Sequence, residues 1–316
     1  MQAEDGVNIE TRSPRQSRHD LSDSRPTLSR RVAVDGSIYS IIRRNPRIAL
    51  YVDPIAWTSD HLQSLGCSFN RQRLPKKGHR HTQDDTPEES GRRTTASLSP
   101  ELAARLKYQL ALLSTLSSKR YTIKDLLEAD NILPQGSEDL PFQFNHQIVA
   151  QLPTDGIFMS SAALPTVAFI TFDTIKSLRE SFIRPRKTTS IPILNKTRSR
   201  LRLLEPRDRA EDPYLVGVLI ALAQAQRRQQ QQQPSGEVNL NDVQSFKVKV
   251  LAIPGTRAKY LYVYTATIPT DFLDKFDEPS RSSPSSPVSV SYYRIAVKDE
   301  RSLERLHRLL DADSCT

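Results

Sequence analysis

From Tyr214 to Ala223 the chain reads YLVGVLIALA, and every one of these ten positions is apolar or glycine. Asp212 precedes the run as an N-cap, since its carboxylate can accept a hydrogen bond from the exposed amides of a first helical turn. Pro213 suits the first helical position, where no donor is needed. As a helix, ten residues cover ~15 Å, about half the hydrocarbon thickness of a bilayer, so no membrane span is expected here. A helix with no wet face until Gln224 has to be covered on most sides by the rest of a domain. The stretch Asp212 to Arg228 is therefore expected to form the buried centre of a globule.

Apolar material is thin elsewhere. Of 316 residues, 37% are hydrophobic and 7% aromatic, and the mean hydropathy is -0.51. That leaves too little apolar surface to order the whole chain. Residues 1–97, with polar stretches such as RSPRQSRHDLSDSRP, are expected to be a mostly disordered arm. An island at 32–65 interrupts it, where Val32, Val34, Ile38, Tyr39, Ile41 and Ile42 can pack as a strand or short helix. Trp57, the only tryptophan, marks the island as a docking segment in preference to a partner-binding motif. Cys67 and Cys315 lie in a polar stretch and at the extreme C-terminus, which argues against a disulfide framework and suits a reducing compartment. The first twenty residues lack the apolar core of a secretory signal and carry early acids, unlike a mitochondrial presequence. The expected location is intracellular, in the nucleus or cytoplasm.

Residues 98–316 read as one α+β domain. Ser99-Pro100-Glu101 is a helix start, and Leu102, Leu106, Leu110 and Leu113 repeat at helical spacing. A second helix start is read at Thr122, with Asp125 completing a short capping box. Thr166 to Phe172 reads as a strand leading into a helix that carries Ile175, Leu178 and Phe182. The glutamine run Gln229 to Gln233 falls in a flexible loop of about 229–244. Phe246, Val248, Val250 and Ala252 then alternate along a strand. Pro254-Gly255 begins a turn, and YLYVYTATI returns as the partner strand. A short helix follows with Phe272, Leu273 and Phe276 inward. After it come a flexible loop at about 279–287, a third strand at 288–297, and an amphipathic helix with Leu303, Leu306 and Leu310. The expected fold is a small antiparallel sheet packed with helices around the buried central helix.

The segments RLRLLEPRDRAEDPYLVGVLIALAQAQ, YLYVYTATIPTDFLDKFD and YYRIAV together resemble a group of proteins from filamentous ascomycete fungi. The resemblance covers about residues 185–297. It implies a shared architecture, and since no activity is assigned to that group it transfers no site residue.

The motifs of several chemistries are missing. There is no GxGxxG or GxxxxGK[ST] to cradle phosphates and no GxSxG elbow. His79 and His81, with Cys67 upstream and Asp84-Asp85 after, lack the paired-cysteine spacing of a structural zinc site. No catalytic residue, metal or cofactor is expected. The alternative enzyme reading is a degenerate or divergent nuclease of the restriction-endonuclease type. Lys247 and Lys249 stand on a strand, with acids at Glu211, Asp212 and Asp242. No Glu-x-Lys pair accompanies them, and hydrolysis of this type needs converging carboxylates to hold the ion.

Charge is the remaining clue. Arg184 to Arg209 holds nine basic residues against Glu205 and Asp208, whereas from Ala210 to the end 13 basic residues face 13 acidic ones. A basic run of this kind suits nucleic acid, import receptors or acidic membranes, and equally a solvated connector. The candidate nucleic-acid contacts are Arg184, Arg186, Lys187, Lys196, Arg198, Arg200 and Arg202. If KTRSRLRLL is extended, the last four share one side at a spacing able to follow phosphates. Tyr260, Tyr262 and Tyr264 share a strand face, either as a stacking platform for bases or as core cover with wet hydroxyls. The expected function is an interaction protein, with a protein partner or nucleic acid as its target.

Overall fold

The computed structural model describes residues 34–45, 53–74, 100–111, 115–128, 132–135, 137–160, 164–183, 190–232, 245–256, 258–281, 285–299 and 301–311. Outside the described residues lie the expected loose arm at 1–33 and 75–99, His79 and His81, and the loop residues 233–244 and 282–284. Ala33–Thr316 form one compact unit.

The helices are α1 (Ile38–Arg44), α2 (Ser59–Leu65), α3 (Pro100–Ala111), α4 (Leu116–Glu128), α5 (Phe172–Ile183), α6 (Ile191–Leu204), α7 (Pro213–Gln232), α8 (Thr270–Asp277) and α9 (Ser302–Asp311). The strands are β1 (Cys67–Gln72), β2 (Leu133–Pro134), β3 (Asp139–Phe144), β4 (Gln147–Pro153), β5 (Gly156–Met159), β6 (Pro165–Thr171), β7 (Ser245–Ile253), β8 (Tyr260–Pro269) and β9 (Val288–Ala296).

The fold is α+β, but its sheet is neither small nor purely antiparallel. Among the described residues, seven strands pair in the order β1-β9-β8-β7-β6-β5-β2, while β3 and β4 form a separate hairpin. The pairs β1/β9 and β6/β7 are parallel, and the other neighbours are antiparallel. A parallel pair needs a long crossover, since both strands must start from the same end. Between β6 and β7 that crossover contains α5, α6 and α7, which is why the buried helix and the basic segment lie on one connection.

Both faces of the sheet are covered. On one, Ala168, Ile170, Val248, Val250 and Ala252 share a core with Tyr214 to Ala223 of α7, with Phe272 and Phe276 of α8, and with Leu140 and Phe142 of the hairpin. On the other, Val167, Phe169, Leu251, Val263 and Ile295 pack with Leu110, Ile123, Leu126 and Leu127 of the α3–α4 pair and with Leu303 and Leu306 of α9. The apolar residues of the run Tyr214 to Ala223 are each at most 1% exposed. Where α7 turns polar, its amides are consumed locally. Gln224 pairs with the backbone of Gln143 in both directions (2.9 and 3.0 Å), and Gln226 donates to the carbonyls of Pro165 and Lys247 (2.8 and 3.1 Å). Buried amides are tolerated on these terms, because a lost partner costs far more than a made bond gains.

Three local expectations change. The island continues past residue 65 into β1, which pairs along the edge of the sheet with β9, and Ile38, Ile55, Trp57, Leu62, Leu65 and Cys67 all enter the α7 core. Thr122 is not a helix start, because α4 begins at Leu116. Its hydroxyl instead donates within the α3–α4 pair, to the Ser118 carbonyl at 2.9 Å and to Gln109 at 3.1 Å. Gln229 to Gln232 belong to α7 rather than a loop. Adding a residue to an existing helix costs much less than starting one, and glutamine is a good helix former.

Candidate nucleic-acid interface

The basic segment is held at both ends. On the α5 side, Arg179 is buried and its guanidinium grips the Asp212 carboxylate at 2.6 and 2.5 Å, while Nε donates to the Ile55 carbonyl at 3.3 Å. Asp212 also accepts the Tyr214 amide at 2.9 Å, so one carboxylate both caps α7 and ties α5 to it. On the far side, residues 205–211 return to the sheet through a short 3-10 turn, with Asp208 accepting the Ala210 amide at 2.9 Å. The Tyr264 hydroxyl donates to the Ala210 carbonyl at 2.7 Å, and the Tyr292 hydroxyl to Glu211 at 3.1 Å.

Between these anchors α6 stands proud. It is the one described helix with no buried residue. Only Thr197, Leu201 and Leu204 are half-buried, and their spacing of four and three defines a single seam. Leu201 lines a small cavity of about 50 Å³ together with Phe172, Lys176 and Arg179 of α5.

The condition under which Lys196, Arg198, Arg200 and Arg202 would share one side, an extended KTRSRLRLL, is not met, because the segment is helical. Ser190 takes an extended cap conformation, Pro192 occupies the first turn, and the leucines, lysine and arginines that follow are good helix formers. The consequence for charge is specific. At roughly 100° per residue, Lys196 and Arg200 fall on one flank of the helix, and Arg198 and Arg202 on the other, about 160° away. All four are exposed, and none has an ion pair among the described residues. Arg184, Arg186 and Lys187 lie outside the described residues. No acid occurs between Ile191 and Leu204. Ile191 and Leu203 are 70% and 77% exposed. Opposite the seam lie Asn195 and Ser199, which the period-two reading passed over. The recurrence of Ile193, Thr197, Leu201 and Leu204 at helical spacing was the signal that could have found this face.

The tyrosine row does share a face, and most of it is internal. Tyr264 is fully buried and stacks between Tyr262 (6.4 Å) and Tyr292 (5.6 Å). Burial drives its hydroxyl pKa well above the ordinary tyrosine value, so the group stays a neutral donor holding residues 205–211. Only Tyr260 and Tyr262 are partly open, and the Arg294 guanidinium lies 4.5 Å above the Tyr260 ring.

The arrangement required by the nuclease alternative is not met among the described residues, where no group of three or more metal-ligating side chains gathers. Lys249 points to the sheet face away from α7, and its ammonium donates to the Leu310 carbonyl at the end of α9 at 2.5 Å. Glu211 and Asp212 lie at the start of α7 on the opposite face, engaged with Tyr292 and Arg179. Asp155 is likewise committed, accepting from the Thr171 amide, Thr174 and Arg120. The Cys67 thiol is buried and its pKa is pushed up to about 12 by desolvation, which leaves it protonated and unreactive as a nucleophile. Further cavities among the described residues border α7 or its neighbours, one of about 190 Å³ between Tyr214, Leu178 and Phe182 among them. Another, of about 130 Å³, is apolar and lined by Trp57, Phe142 and Phe276. A third, of about 210 Å³, is polar and lined by His146, Arg227, Arg228 and Asp277.

Among the described residues no helix is long and apolar enough to cross a membrane. Comparison of the chain with protein-family models, with curated proteins and with solved structures finds no match.

Proposed function

We propose that this chain is a non-enzymatic binding protein of the nucleus or cytoplasm that contacts nucleic acid through α6. The observation that carries the reading is the pair of cationic flanks on a helix seated by one seam. Four charges without an ion pair among the described residues, and with no acid between them in the helix, make a strong local field for a polyanion. A helix with its side chains is about 10–12 Å across, close to the width of a B-form major groove, whose two walls are lines of phosphates. Cations on both flanks can meet both walls, which one stripe on an extended segment cannot do.

The test is the salt dependence of binding to a 20-base-pair duplex, followed by fluorescence anisotropy of the labelled DNA with the full chain. Each phosphate contact contributes about 0.9 to the slope of log affinity against log salt. Replacing Lys196, Arg198, Arg200 and Arg202 by Ala is expected to cut the slope by up to ~3.6 and weaken binding at every salt concentration. An unchanged slope and affinity would reject α6 as the contact.

A further inference from the structure

We infer that α6 is a groove-reading helix for double-stranded B-form DNA, with Asn195 and Ser199 facing the base edges; this rests on the nucleic-acid reading of α6. The argument comes from what each position around the helix is free to do. Thr197, Leu201 and Leu204 are spent on the seam. Lys196 and Arg200 on one side, and Arg198 and Arg202 on the other, stand where the groove walls would be. What remains is the ridge directly opposite the seam, the part of a helix that reaches the groove floor.

That ridge carries Asn195 and Ser199, one turn apart and both exposed. Neither side chain has a hydrogen-bond partner among the described residues. A carboxamide presents a donor and an acceptor side by side and matches the N6/N7 edge of adenine, while a serine hydroxyl pairs with either kind of base edge. The ridge is bounded by Ile191 and Leu203, the two most exposed large apolar side chains of the helix. In water they are a cost; against the C5-methyl groups of thymine they become contacts. Exposed leucine and isoleucine beside asparagine therefore favour a floor containing A·T pairs. Fourteen helical residues extend ~21 Å, about six base pairs of duplex. An RNA duplex does not fit the same geometry, because its major groove is too deep and narrow for side chains to read.

The experiment is selection of sites from a random 20-base-pair DNA library with the full chain, followed by anisotropy titration of the enriched duplex, a scrambled duplex and an RNA duplex of the same sequence. Asn195→Ala and Ser199→Ala are compared with Arg198→Ala/Arg202→Ala, all at exposed positions, with thermal melting to confirm the fold. The expected result is an A·T-containing preference, with RNA bound at least ~10-fold more weakly. Asn195→Ala is expected to reduce discrimination between enriched and scrambled DNA by on the order of 10-fold without changing the salt slope. The arginine pair weakens both duplexes alike and lowers the slope by about 2. Equal affinity for all duplexes, with Asn195→Ala and Ser199→Ala silent while the arginine pair still weakens binding, would overturn groove reading and leave phosphate contact standing. DNA binding indifferent to the arginines, or no binding at 50 mM salt, would overturn both. Retention on phosphatidylserine vesicles that the enriched duplex cannot displace would assign the exposed apolar pair to a membrane and overturn the inference.

Discussion

Arg179 and Asp212 meet as a two-pronged ion pair at 2.6 and 2.5 Å, with side chains only 4% and 5% exposed. The pair joins α5 to the first turn of α7, and α6 is the excursion between them. Removing one partner leaves the other charge buried and uncompensated. Asp212→Ala is therefore expected to cost about 3–5 kcal/mol in urea unfolding, with Arg179→Ala in the same range. Replacing both by apolar residues of similar volume should recover much of the loss, because desolvation cancels most of the attraction within such pairs. A cost below about 1 kcal/mol for either single change would contradict the role assigned to the pair.

Gly217 shows how closely the island docks. A Cβ at this position would stand 2.8 Å from Cβ of Pro54, inside contact distance of a rigid ring. Gly217→Ala is expected to destabilise the chain by about 1–3 kcal/mol and to make residues 53–74 the first cleaved under limited proteolysis. Unchanged stability together with unchanged cleavage would mean that the island is not seated on α7.

Lys119 has no exposed surface and donates to the Leu110 carbonyl at 2.7 Å, near the end of α3. Burial lowers its pKa below the ordinary lysine value. At alkaline pH short of about 10.4, the unfolded chain then binds more protons at this site than the folded one. Stability from this group therefore rises with pH through that window. The advantage of wild type over Lys119→Met in urea midpoint is expected to grow between pH 7 and pH 10. A difference that shrinks or stays flat would contradict the assignment.

The parts of this fold that the sequence made legible are those with one physical solution. A ten-residue apolar run introduced by an Asp-Pro helix start has to be wrapped on all sides, and α7 is wrapped. Alternation from Phe246 to Ala252, a Pro-Gly turn and an aromatic return strand define the β7–β8 hairpin, found at Ser245–Ile253 and Tyr260–Pro269. The edge strand β1 was hidden because CSFNRQ directs only Cys67 and Phe69 toward the core, and its parallel pairing with β9 is set by residues more than 200 positions away. The basic segment misled for a different reason. Cations alternating with Thr, Ser and Leu imitate a strand, whereas the helical seam is marked only by Ile193, Thr197, Leu201 and Leu204, none of them fully buried. Periodicity reports the buried face, and α6 has almost none.

Hydrogen exchange of the full chain with and without the 20-base-pair duplex tests the placement of the contact most directly. Slower exchange is expected in peptides covering Ile191–Leu204, with the Tyr260–Pro269 strand and the α7 core unchanged. Protection elsewhere on the surface, with Ile191–Leu204 exchanging as fast as in the free chain, would contradict the assignment of α6.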